Sequence, residues 1–85
     1  MPSKTVTVGS SVGLHARPAA VIAEAAGDLD AEVTLATEGE EPIDASSSLL
    51  IMTLGASHGD AVTVESDDQD AVDTIAALVA KDLDA

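Results

Sequence analysis

KTVTVGSSVGLHARPAAVIAEAAG, residues 4–27, changes its hydrophobic period once, and that change decides how the rest of the chain is read. From Lys4 to Val8 polar and apolar residues alternate and the apolar ones are β-branched, the pattern of a strand with one buried face. Gly9, Ser10, Ser11 and Gly13 interrupt it as a loop. From Ala16 the period lengthens: Ala19, Ile22, Ala23 and Ala26 fall at i, i+3, i+4 and i+7, one stripe of a helix, with Gly27 its expected C-terminal cap. Pro18 fits the first turn, which makes no use of the N–H that proline lacks. A strand, a loop and a helix thus meet at GLHARPAA, Gly13–Ala20, where a histidine and an arginine stand two residues apart.

Working outward, the two periods recur. AEVTLAT, Ala31–Thr37, alternates as a second strand. EGEE is a turn, and Pro42-Ile43-Asp44 is a short third strand at an edge, because Pro42 cannot donate to a ladder. SSSLLIMTLG predicts a short helix with serine capping before it and Gly55 after it. Asp60–Ser66 is a fourth strand. The acids of DDQD suit the start of a last helix, whose stripe is Val72, Ile75, Ala76 and Val79. The order β-α-β-β-α-β-α predicts one domain over residues 1–85, an α+β fold of one sheet with helices packed on one face. Sequence leaves the strand order open.

Composition narrows the function classes. The chain has 85 residues, 46% of them hydrophobic and none aromatic, so its core is built from Ala, Val, Leu, Ile and Met. It has no cysteine, which excludes disulfides, thiolate zinc sites and thiol catalysis. Asp67, Asp68 and Asp70 lack the spacing of a calcium loop and read as helix capping, so no metal site is expected. Sixteen acids stand against Lys4, Arg17 and Lys81, a net charge of −13. A surface so acidic has no basic stripe for nucleic acid. Self-repulsion at this density destabilises the folded state unless salt screens it, so a salty cytoplasm is the expected setting. No leader or membrane-length apolar run is evident, and a cytoplasmic location is expected.

Cations are scarce, and one of them shares a helix start with His15. The first N–H groups of a helix lack intrahelical partners and carry partial positive charge, so an anion is stabilised there. The backbone of Ala16 and Arg17 supplies such donors, and the Arg17 guanidinium matches phosphate geometry. The lone pair of a neutral imidazole can take a phosphoryl group and pass it on. The spacing alone favours the plainer reading, with His15 a simple helix cap and Arg17 a solvated side chain, because position does not specify chemistry. His58, between Ser57 and Gly59, reads as a surface turn.

GLHARPAA resembles the active-site segment of the histidine-containing phosphocarrier family, HPr, of the phosphoenolpyruvate-dependent sugar phosphotransferase system. TLG at the end of the second helix and Gly59-Asp60 before the fourth strand extend the resemblance along the chain. It implies an open-faced β-sandwich, a four-stranded antiparallel sheet covered on one face by three helices. It further implies that His15 accepts a phosphoryl group on Nδ1 from enzyme I and donates it to a sugar-specific enzyme II A component, with Arg17 stabilising the phosphate. The protein would then be a carrier and not a complete enzyme, without a cofactor and as a monomer. A carrier in a dihydroxyacetone kinase phosphorelay and a non-catalytic regulatory paralogue are the alternatives.

Departures from the family pattern are few. Val12 stands where a polar residue is frequent, leaving Ser10 or Ser11 to support the loop. Ser47 aligns with the regulatory phosphoserine of some members, but Ser46 replaces the usual lysine before it and Ser48 the apolar residue after it; helix capping accounts for all three serines. LLIM, Leu49–Met52, cannot bury every direction of one short helix. Leu50 and Leu54 are expected in the core, and Leu49 and Met52 at a partner-docking surface.

Overall fold

The computed structural model describes residues 2–11 and 13–81, so Val12 lies outside the described residues. The elements are β1 (Ser3–Thr7), α1 (Ala16–Asp28), β2 (Val33–Thr37), β3 (Ile43–Asp44), α2 (Ser48–Thr53), β4 (Ala61–Ser66) and α3 (Gln69–Ala80). The sheet order is β1-β4-β2-β3, and all neighbours are antiparallel. The expected open-faced sandwich is therefore the fold. Alternation explains its two faces. Val62 and Val64 of β4 point to the helices and are fully buried, in register with Val6 on one side and Leu35 on the other. The intervening residues form a polar open face, where the Thr5 and Thr63 hydroxyls share a 2.9 Å hydrogen bond.

The stripes read from the sequence are the packed faces. Ala19, Ile22 and Ala26 of α1 and Val72, Ile75, Ala76 and Val79 of α3 join one buried cluster with the strand valines and Leu35. Burying each Val, Leu or Ile contributes about 1.5–3 kcal/mol, while the alanines let the layers approach without adding much area. With 16 acids on so small a molecule, like-charge repulsion opposes the compact state and salt screens it. Between about 0.1 M and about 2 M potassium chloride the thermal midpoint should rise by roughly 10–20 °C. Far-ultraviolet circular dichroism is the probe, since there are no aromatics; a flat response would remove self-repulsion as the controlling term.

Three local expectations are corrected. Gly27 does not cap α1: the helix runs through Asp28, and Leu29 ends it in an extended conformation, its N–H donating to the Ala26 carbonyl at 3.2 Å. Half-buried Leu29 packs on the core, so side-chain burial and not a left-handed glycine turns the chain. β2 begins at Val33, two residues late, because its partner β4 ends at Ser66, opposite Val33. Leu50 is 40% exposed, whereas Ile51 is fully buried. Within LLIM the inward direction is taken by Ile51 with half-buried Leu54 three residues on, which rotates Leu50 outward.

The turn into α2 is held by its polar side chains. Asp44 Oδ1 accepts the Ser46 hydroxyl at 2.7 Å and the Ser46 N–H at 2.9 Å, and the hydroxyl bond is the larger cause holding the Asp44 carboxyl below its ordinary value of 3.8. A carboxyl lowered in the folded state stabilises above its unfolded value, and that contribution is lost as pH falls through the folded value. Ser46→Ala should move the Asp44 titration upward, as followed by carboxyl carbon NMR; an unchanged curve would show that the hydroxyl is not the cause.

Candidate functional site

His15 stands between two buried anchors. Leu14 is 3% exposed and donates its N–H to the Ala56 carbonyl at 3.0 Å. Beyond His15, Pro18 and Ala19 are buried against the core side of α1. The loop before them is tightened by the Gly13 N–H, which donates to the Ser10 carbonyl at 2.9 Å. Ser10 is fully buried and Ser11 is exposed. Gly13 has φ +77°, and a Cβ there would stand 2.5 Å from the Ala56 carbonyl oxygen, so both backbone conformation and space require glycine. Gly9, at the other end, lies against the Ala80 carbonyl and donates its N–H to Val79 at the end of α3.

On this mount the imidazole faces solvent. His15 is the N-cap of α1 in extended backbone, but its side chain makes no capping hydrogen bond. The first intrahelical bond runs from the Ala19 N–H to the His15 carbonyl at 2.9 Å. Ala16 and Arg17 therefore present N–H groups without intrahelical acceptors, and Pro18 at the third helical position has none to satisfy. Arg17 is exposed in the same first turn, and among the described residues its guanidinium has no ion-pair or hydrogen-bond partner. His15, Arg17 and two amide donors thus all lie at the exposed start of α1, the end of a helix whose dipole and unpaired N–H groups favour an anion.

The site is a surface. Neither His15 nor Arg17 lines the shallow clefts beside Asp30, Glu32 and Asp44 or beside Glu40 and Glu41. No group of three or more potential metal ligands occurs among the described residues, and no helix there is long and apolar enough to cross a membrane. An exposed imidazole on a fixed backbone can be reached by two proteins in turn, which a closed pocket would prevent.

The other singled-out residues have definite places. Ser47 is the N-cap of α2, its hydroxyl oxygen accepting the Leu50 N–H at 3.3 Å. Asp68 caps α3, accepting the Asp70 N–H at 2.9 Å. His58 is exposed in the turn before β4. Leu49 is 68% exposed and Met52 38%; among the described residues the other exposed large hydrophobics are Leu50 and, on α1, the helix against which α2 packs, Val21. Sequence reading missed Val21 and misplaced Leu50. Position 21 follows Arg17 by one helical turn, off the buried stripe, which was the available signal.

A family model described as the PTS HPr component phosphorylation site matches residues 2–81. The chain is 37% identical over 87 residues to a phosphocarrier protein HPr of Streptomyces coelicolor, covering 99% of this chain and 94% of that one. It is 38% identical over 76 residues to a phosphocarrier protein HPr of Haloferax volcanii, covering 88% of this chain and 85% of the other. The crystal structure of a phosphocarrier protein HPr from Bacillus anthracis superimposes with a TM-score of 0.84 at 30% identity, over 92% of this chain and 95% of that one. With matching sequence over nearly its whole length and the same three-dimensional frame, the chain belongs to the HPr family of phosphocarrier proteins of the phosphotransferase system.

Proposed function

We propose that this protein relays a phosphoryl group on His15, taking it from enzyme I and passing it to a sugar-specific enzyme II A component during sugar uptake. The observation that carries this reading is the exposed, uncapped His15 at the N-terminus of α1, whose first turn also carries the exposed Arg17. In the uptake step a nitrogen lone pair of His15 attacks the phosphorus of the phosphoryl group held by enzyme I, a P–N bond forms as the bond to the enzyme I donor breaks, and that donor group leaves with the bonding electron pair. The Ala16 and Arg17 donors and the guanidinium hold the equatorial oxygens, whose charge must be matched throughout. The reverse sequence at the acceptor returns His15 to its starting state, which makes the chain a carrier and not a complete enzyme.

Partner docking falls to Leu49 and Met52, with Leu50 exposed beside them on α2 and Val21 exposed on α1. Interfaces of this kind are apolar at the centre, and Met adapts to more than one partner shape. In this reading the protein works as a single domain and a monomer in a cytoplasm of high salt, a setting that its charge of −13 supports.

Incubation with phosphoenolpyruvate and an active cognate enzyme I in molar salt tests the relay. The expected product carries phosphate that is labile in acid and stable in alkali, and loses it on addition of the enzyme II A component. Wild-type protein that takes no phosphate from a demonstrably active enzyme I would overturn the proposal.

A further inference from the structure

The segment Ala56–Asp60 holds both ends of the loop that leads to His15. At the near end the Val8 N–H donates to the Asp60 carbonyl at 2.9 Å, and the Gly59 N–H donates to the Val8 carbonyl at 3.0 Å. At the far end the Leu14 N–H donates to the Ala56 carbonyl at 3.0 Å, and Gly13 lies so close that a Cβ there would stand 3.0 Å from Ser57 Cα. Ala56 itself is buried. The segment is folded into a closed turn: the Asp60 N–H donates to the Ser57 carbonyl at 2.9 Å, and Asp60 Oδ2 accepts the Ser57 N–H at 2.9 Å. The carboxylate bond adds a charge-assisted link to the backbone pair, and such bonds are the stronger kind. Asp60 is otherwise exposed, so its side chain contributes to this turn and not to the core.

We propose that Asp60 is a positioning residue for phosphoryl transfer at His15: its carboxylate closes the turn that holds Val8 on one side and Leu14 on the other, and so sets where the imidazole stands. The contacts pass from Asp60 to the Ser57 backbone, to the adjoining Ala56 carbonyl, to the Leu14 N–H and thus to the residue next to His15. The proposal rests on the phosphocarrier reading. Small displacements of a reacting group cost rate steeply, whereas the loss of one exposed side chain leaves the core in place.

The test compares wild type, Asp60→Ala and Asp60→Asn in molar salt, with circular dichroism establishing that each is folded. Asparagine keeps an oxygen for the Ser57 N–H and removes the charge. Two quantities are read: hydrogen exchange at the Leu14 amide, and kcat and KM of enzyme I with each protein as phosphoryl acceptor. Asp60→Ala should exchange the Leu14 amide about tenfold faster and lower kcat about fivefold with KM little changed, and Asp60→Asn should restore both. An alanine variant with wild-type exchange and kcat would overturn the proposal, as would an asparagine variant that restores neither. If the wild type accepts no phosphoryl group, the carrier reading fails and the effect on transfer fails with it. Leu14 exchange in the two variants then still decides whether Asp60 holds the loop.

Discussion

His15→Ala should abolish phosphoryl uptake from enzyme I, lowering acid-labile incorporation by at least about 10³-fold, while the fold survives. The imidazole makes no capping bond and is exposed, so its removal leaves no buried group unsatisfied and opens no cavity. The Ala19 bond to the carbonyl of residue 15 is a backbone bond and persists in the variant. Alanine is a poorer N-cap residue than the polar ones, but with no side-chain cap in the wild type the cost of the change is small. His58 gives the experiment an internal control, because it is the other histidine in the chain and lies in the turn before β4. Label remaining on His15→Ala at the wild-type level would move the acceptor elsewhere.

Arg17→Ala should slow transfer by about 10- to 100-fold with the thermal midpoint little changed. The guanidinium is exposed and has no partner among the described residues, so nothing in the fold depends on it. Under the proposed function two roles in transfer would depend on it. It would supply a planar pair of donors to phosphate oxygens, and it is one of three Lys and Arg residues in a chain of net charge −13. Arg17→Lys should recover part of the rate, since charge returns without the fork. Molar salt weakens the contribution of long-range charge more than that of direct hydrogen bonds, so the defect should persist at high salt if contact dominates. An unchanged rate in Arg17→Ala would remove Arg17 from the mechanism and leave the Ala16 and Arg17 amides as the anion site.

Where sequence reading succeeded, the signals were local. A period of two marked the strands, and periods of three and four marked α1 and α3, because burial of one face selects those residues directly. Capping was legible for the serine run before α2 and the aspartates before α3 because it acts over two or three residues; in the structure the caps are Ser47 and Asp68. Where reading failed, the answer depended on a distant surface. Leu50 and Ile51 are equally apolar, and which of them is buried is set by how α2 lies against α1 and the sheet. Gly27 looked like a cap, yet Leu29 finds a place on the core and the helix continues to meet it.

By itself, then, the sequence determined the elements, the two faces of the sheet, the acidic character and the meeting of His15 and Arg17 at the first turn of a helix. These follow from residue chemistry and spacing along one chain. Tertiary structure alone decided the strand order β1-β4-β2-β3, the outward turn of Leu50 and the bracket of Ala56–Asp60 around the loop before His15. Backbone hydrogen bonds such as Leu14 to Ala56 join residues more than forty positions apart. Main-chain donors and acceptors are alike at every non-proline position, so no side-chain pattern announces which of them will pair.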